Sequence, residues 1–403
     1  MNRTFLKHEF LITARSMKNI PFLIFIGVLL LSYCLLILPS EETKESFYPN
    51  ETLDYLTELE GEQQLRLKKG NTGVVRMSGA AVYAWNDYYY WLDKALLNAY
   101  EDRNFTRYLH LRTNALEGGA QEYIQDKELF KESPFPGKDR MHLYEQTMMR
   151  YENYMTKEHP ITYGLIMEKT GLQGLQKFML DYGMYFFLFC AIYFSSDVLT
   201  RDRKNRSVLQ GLPLSWYRQL NLKTFSAFLY ANLVIFGMAI VGVLLLAIQF
   251  GFGHFNLDVP IMISQQTFTR TDYGVISIAK LLGLISLAML LLVFLFVRLN
   301  IIFSLLVKNE WVVLVLTTII LFSERIYYSR TTRELFGFDV SSFPQTYFDF
   351  GKVVTGEKNY LLNIESITAM KGFVVLFTTW AIIEIVLFFI SRIVNKRRFY
   401  QSS

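Results

Sequence analysis

The densest group of chemically capable side chains lies in residues 196–223, where Arg201, Arg203, Lys204, Arg206, Arg218 and Lys223 accompany Asp197 and Asp202. Six cations in a short loop between apolar runs hold that loop on the cytoplasmic side of a bilayer. The loop also carries an apolar insert, Val208-Leu209 followed by Gly211-Leu212-Pro213-Leu214. Topology alone does not require that insert. The pattern predicts two short helices, 197–210 and from Ser215 onward, broken at Gly211 and Pro213. Such an element can lie against the membrane and offer a face to a cytosolic partner. A second candidate is Glu384, set between Ile383 and Ile385 in a long apolar run. An intramembrane carboxyl is a functional candidate by default. Either it faces the bundle interior and pairs with a cation or hydrogen-bond donor, or it is protonated and satisfied within its own helix.

Other chemistries find no residues to carry them. The five histidines, His8, His110, His142, His159 and His254, have no metal-ligand spacing, and no H-E-x-x-H or G-x-S-x-G occurs. No G-x-x-x-x-G-K-[ST] occurs either, and the Gly171/Gly174 pair lacks the lysine and hydroxyl such a loop needs. The chain is therefore expected to be neither an enzyme nor a holder of a cofactor. Cys34 and Cys190 sit inside apolar runs and read as small hydrophobes.

Positioning these residues requires a membrane. With 403 residues, 52% hydrophobic and 16% aromatic, the chain reads as predominantly α and polytopic. Residues 1–19 mix Phe5, Phe10, Leu11 and Ile12 with Arg3, Lys7, Arg15 and Lys18. That is the pattern of an interfacial helix on the inner leaflet rather than a signal peptide. Six spans are expected, at 20–38, 178–195, 224–250, 275–297, 311–328 and 371–391. The fourth is the most apolar, with 16 of 23 residues Leu, Ile, Val or Phe. The fifth has only twelve apolar residues before Glu324-Arg325, so it must recruit Ile326-Tyr327-Tyr328 or stop short. Gly237 and Gly242 offer a helix contact in the third. Assigning 1–19, 196–223, 298–310 and the tail 392–403 to the cytoplasm places 16 Lys and Arg against four acids there. Both termini are then cytoplasmic.

Residues 39–177 form a polar extracellular domain with 17 basic and 22 acidic residues. Breakers at Gly70/Gly73, Gly118-Gly119 and 133–137 divide it into about three helical blocks. Its aromatic run, Trp85-Asn-Asp-Tyr-Tyr-Tyr-Trp91, is expected mainly in the core. Residues 329–370 are expected to be extracellular or re-entrant.

In this order of elements the chain resembles a permease subunit of the ABC-2-type transporter superfamily, the membrane half of type V ABC exporters. The resemblance covers nearly the whole architecture: an amphipathic N-terminal helix, one span, a large outer domain, five further spans and a basic loop after the second. Its most specific residues are Asp197, Arg206-Ser207, Gly211, Leu212-Pro213-Leu214-Ser215, Arg218 and Lys223. They are similar to the family's acidic, basic, L-P-x-S-R and lysine progression, with Trp216 and Tyr217 separating Ser215 from its arginine. The resemblance implies that residues 197–223 couple to a cytosolic ABC ATPase subunit, with Asp197, Arg203, Lys204, Arg206, Gly211, Leu212, Pro213, Leu214, Arg218 and Lys223 as contacts. ATP and Mg would be bound by that partner, a second permease subunit would complete the path, and Glu384 would lie along it. The implied setting is the plasma membrane of a Gram-positive bacterium, with a hydrophobic or amphipathic cargo (antimicrobial peptide, drug or lipid) and no nucleic acid. Two other readings stand beside it: an ABC-type mechanotransmission or sensing subunit acting through its extracellular domain, and an unrelated polytopic receptor.

Overall fold

The computed structural model describes every residue except 1, 44, 74–80, 119–132, 205–213, 268 and 402–403. The protein is predominantly helical. Along the chain run α1 (Asn2–Ala14), α2 (Asn19–Ser32), α3 (Pro49–Lys68), α4 (Val82–Glu101), α5 (Phe105–Glu117), α6 (Pro136–Thr156), α7 (Gly171–Phe178), α8 (Met184–Ser195), α9 (Thr200–Lys204) and α10 (Trp216–Phe250). A hairpin of β1 (Asp258–Met262) and β2 (Tyr273–Ser277) leads to α11 (Ile278–Leu306), α12 (Glu310–Phe322), α13 (Phe350–Val354), α14 (Glu357–Leu362), α15 (Ala369–Ile393) and α16 (Lys396–Gln401). Two compact units result. One comprises Met1–Pro39, Thr170–Thr267 and Thr271–Ser403; the other comprises Ser40–Lys169 and Phe268–Arg270.

Among the described residues, five helical stretches are long and apolar enough to cross a membrane: Asn19–Ser40, Tyr163–Arg203, Trp216–Phe250, Ile278–Leu306 and Ala369–Ile393. The axis of the first unit is α11, which packs against α8, α10, α12 and α15. Its buried residues Leu281, Ile285, Ala288, Leu292, Leu295 and Phe296 recur every three or four positions, as a helix surrounded by partners requires. Ser277 caps its start by accepting from the Lys280 amide.

Several expected boundaries move. The helix carrying the third span begins at Trp216, not 224, and its 35 residues make it about 52 Å long. That exceeds a ~30 Å hydrocarbon core by several turns. The helix expected from Ser215 onward is therefore the first part of one continuous rod that no breaker interrupts. The fourth span loses Val275 and Ile276 to β2, which pairs antiparallel with β1, Val259 opposite Ile276. The fifth stops short: α12 has thirteen residues, and a turn at Ser323 separates it from the single helical turn Glu324–Tyr327. At Gly171, the first residue of α7, a Cβ would lie 2.7 Å from the Val243 carbonyl oxygen, so only glycine lets α7 start this close to α10. Gly171 and Leu172 amides donate there to the Gly251 and Phe252 carbonyls at 3.0 Å each.

Among the described residues, the second unit holds the four long helices α3 to α6. Its core comes from leucines and from small and aromatic residues such as Leu97, Ala99, Leu109, Leu116, Tyr108 and Tyr151. The run 85–91 is not in that core: Trp85, Tyr88 and Trp91 are 46–60% exposed. The buried face of α4 falls later, on Leu96, Leu97 and Ala99.

Candidate coupling site

The amphipathic helix α1 packs along α10, and the side chains it buries are Phe5, Glu9 and Thr13, spaced four apart on one face. One member of that stripe is charged, and its partner explains the choice. Lys223 on α10 is fully buried, with Nζ 2.7 Å from Glu9 Oε1 and 2.8 Å from Asp202 Oδ2. Its ammonium also lies 5.5 Å from the centre of the Phe5 ring. Arg201 continues the cluster, 3.7 Å from Glu9 Oε2 and 3.8 Å from Asp197 Oδ2. Lys18 closes it, 4.0 Å from Asp197 Oδ1, while donating to the Tyr193 carbonyl at 2.7 Å and stacking over the Tyr193 ring. Ser16 Oγ donates to Asp197 Oδ2 at 3.3 Å. Three acids and three cations thus balance, and they join α1, the start of the loop, α9 and α10.

Other loop residues are also committed inside the chain. Arg203 is buried and donates to the Ser304 and Leu305 carbonyls at 3.1 and 3.0 Å, the end of α11 where a helix leaves carbonyls without intrahelical donors. Its guanidinium lies 4.4 Å from the Phe399 ring centre. Leu214 is buried, and Trp216 Nε1 donates to the Val394 carbonyl at 2.9 Å. Arg218 is exposed. Arg206, Gly211, Leu212 and Pro213 lie outside the described residues, as does the side chain of Lys204.

Glu384 is mostly buried and paired across helices. Its Oε1 lies 2.8 Å from Arg298 Nε, and its Oε2 accepts from the Tyr217 hydroxyl at 3.2 Å. Arg298 also donates to Thr224 Oγ1 at 2.9 Å. Of the two alternatives left open above, the interhelical pair is the one present, joining α15, α11 and α10. The cation is one the sequence reading had assigned to a cytoplasmic segment. In the structure, α11 runs on through it to Leu306.

Sequence reasoning missed Asn300. Fully buried on α11, it donates from Nδ2 to the Ile192 carbonyl at 2.8 Å and to Ser195 Oγ at 2.6 Å, and accepts from Thr317 Oγ1 at 2.6 Å. It holds α8, α11 and α12 together. An amide inside an apolar helix was the available signal. A further cluster sits at the far end of α8 and α12, where Glu324 is buried, accepts from the Tyr185 hydroxyl at 2.7 Å and lies 2.5 Å from Lys358 Nζ.

What this arrangement can do is mechanical. Among the described loop charges, Asp202 is tied to α10 through Lys223 and Arg203 to the end of α11, so a displacement of these residues cannot stay local. Among the described residues, no group of histidine, cysteine or carboxylate side chains is arranged to hold a metal ion. No protein-family model, no curated protein and no solved structure matches this chain.

Proposed function

We propose that this chain is the permease subunit of an ATP-driven exporter of the ABC-2 type, with hydrolysis carried out by a separate cytosolic ATPase subunit that binds ATP and Mg. In this reading the chain crosses the plasma membrane six times and places both termini in the cytoplasm. The Ser40–Lys169 unit lies outside, and two permease subunits assemble around the path of a hydrophobic or amphipathic cargo. Beyond the resemblance of residues 197–223, the observation that carries the reading is Lys223. A fully buried ammonium bridging Glu9 and Asp202 makes the amphipathic helix, the loop and a 35-residue helix one rigid piece. Rigid-body coupling between an ATPase and a membrane bundle needs such a piece.

Burial divides the loop into two roles. Asp197, Arg203 and Lys223 are occupied within the chain and transmit force. Contact with the ATPase falls to the exposed Arg218 and, from the resemblance, to Lys204, Arg206, Gly211, Leu212 and Pro213. The short fifth span fits if α12 and the turn Glu324–Tyr327 cross together, 18 residues or about 27 Å. Tyr185 and Lys358 then satisfy Glu324 at the membrane boundary.

The test is affinity purification of the full chain from its native cells, followed by identification of any co-purifying nucleotide-binding subunit. Capture of an ATPase is expected in the wild type, and loss of capture with intact membrane insertion in Arg206→Glu and Leu212→Asp. Absence of an ATPase, or capture that both substitutions leave unchanged, removes the assignment.

A further inference from the structure

Between α2, α7 and α10 lies a cavity of about 230 Å³. Its walls are Leu30, Cys34, Phe178, Met238, Gly242 and Leu246, with further aliphatic and aromatic neighbours. Among its lining residues only Tyr33 and Cys34 carry a polar side-chain atom, and the Cys34 thiol lies 4.0 Å from the Gly242 carbonyl oxygen. Water needs two to four polar partners in such a site, and this lining does not supply them.

The helices on either side are modified where the cavity passes. Wider π-helical turns replace α-helix at Tyr33–Ile37 and at Met179–Gly183, immediately after Phe178. Such bulges concentrate at functional sites because each inserts a residue and releases a carbonyl. The Cys34 carbonyl receives Gln249 Nε2 at 3.1 Å, so the first bulge is held open by a side chain of α10. The α10 wall includes two small residues, Ala239 and Gly242. A Cβ on Gly242 would sit 3.3 Å from Leu30 Cδ1, so any larger side chain there would enter the cavity.

Length identifies the occupant. The lining runs along the first span from Ile26 to Ile37, a rise of about 16 Å. Half of a ~30 Å hydrocarbon core is about 15 Å. The groove therefore covers the depth of one leaflet, the one farther from α1. At that depth the molecule available in quantity, uncharged and of that length, is a lipid hydrocarbon tail. Filling the groove with it restores the dispersion contacts that a bare recess forfeits.

We infer that this groove is a binding site for a single acyl chain of a membrane phospholipid, seated between the two π-helical turns. The inference needs only that the apolar helices span a bilayer and does not rest on the transporter reading. It is tested on the full chain in phosphatidylcholine nanodiscs containing a small fraction of phosphatidylcholine with a photoactivatable diazirine in mid-chain. Irradiation and peptide mapping should place label on Leu30, Cys34 and Met238 several-fold above Leu233, Leu244 and Ile248, which face outward on α10. Gly242→Phe should bring the groove positions down to the level of those controls while leaving the controls unchanged. Ala239→Leu, a smaller change in the same wall, gives the same readout in case the larger variant does not insert. Uniform labelling in the wild type overturns the site, as does groove labelling that both substitutions leave intact.

Discussion

Two clusters, the one around Lys223 and the one around Asp93, handle buried charge differently. In the membrane-associated unit, Glu9, Asp197 and Asp202 are set against Lys18, Arg201 and Lys223, all within 4.0 Å of a partner of opposite sign. In the Ser40–Lys169 unit, Glu45 lies 3.5 Å from Arg112 and Arg150 lies 2.7 Å from Glu168, but Asp93 has no such close ion pair. Burial drives its carboxyl up to about 6, and Arg112 only partly offsets that. The first arrangement fixes three segments in one geometry, where removing Lys223 takes from Asp202 its close cation. The second leaves a carboxyl whose charge the fold disfavours. Matched charge thus ties the cluster around Lys223 together, and the disfavoured charge of Asp93 makes stability depend on pH.

Breaking the matched cluster should give the largest effect. Lys223→Met leaves Glu9 and Asp202 buried without their shared cation, a loss of about 3–5 kcal/mol by the usual behaviour of broken buried pairs. Thermal unfolding in detergent should show a marked fall in Tm. Adding Glu9→Leu and Asp202→Leu to that variant should recover most of it, because the stranded charges are then gone. Recovery of stability without recovery of ATPase coupling would separate the two roles of Lys223.

Glu384 and Arg298 come next. Glu384 keeps 21% exposure of its side chain, so partial solvation softens the loss. Glu384→Gln should destabilise by about 2 kcal/mol. A double-mutant cycle with Arg298→Met measures the pair directly, and a coupling energy near zero would mean that Tyr217 and Thr224 hold the two residues independently. Asn300→Leu follows. Bilayer hydrogen bonds average less than those in water-soluble cores, so losing three of them should lower stability by about 1–2 kcal/mol. The variant would loosen α12 from α8 and α11, and proteolysis near Lys308 is the sensitive readout.

How legible this was in the sequence depends on range. The apolar helices were legible because hydropathy acts locally: α15 covers 369–393 where 371–391 was expected. So was the charge asymmetry of the loop. What failed needed knowledge of neighbours. Nothing local distinguishes Lys223 from Arg218, yet one is fully buried and the other exposed, because α1 returns to cover one face of α10. Glu9 reads as one acid in a basic tail until Lys223 is brought opposite it. The hairpin Asp258–Ser277 was missed because its strands have five residues each, and the end of the second, from Val275, adjoins a long apolar helix and was absorbed into the hydropathy of the span. Trp85 and Trp91 were misplaced because aromatic content predicts burial only when the helix face is known.

The smallest effect belongs to the unmatched carboxyl, and its sign is the informative part. Asp93 titrates near 6 in the folded unit against about 3.9 in an unfolded chain. Between those values the folded state holds the proton and the unfolded state has released it. Unfolding free energy therefore falls as pH rises from about 4 to about 6, and is flat above that. Because Asp93 is half-buried, solvent screening reduces the whole change to about 1 kcal/mol. Asp93→Asn should flatten that part of the profile and raise stability at pH 7 by a similar amount, read by unfolding of the full chain while monitoring the aromatic signal of the Ser40–Lys169 unit. An unchanged slope between pH 4 and 6 would show that the dependence does not come from Asp93. The contrast between matched and unmatched clusters would then no longer hold.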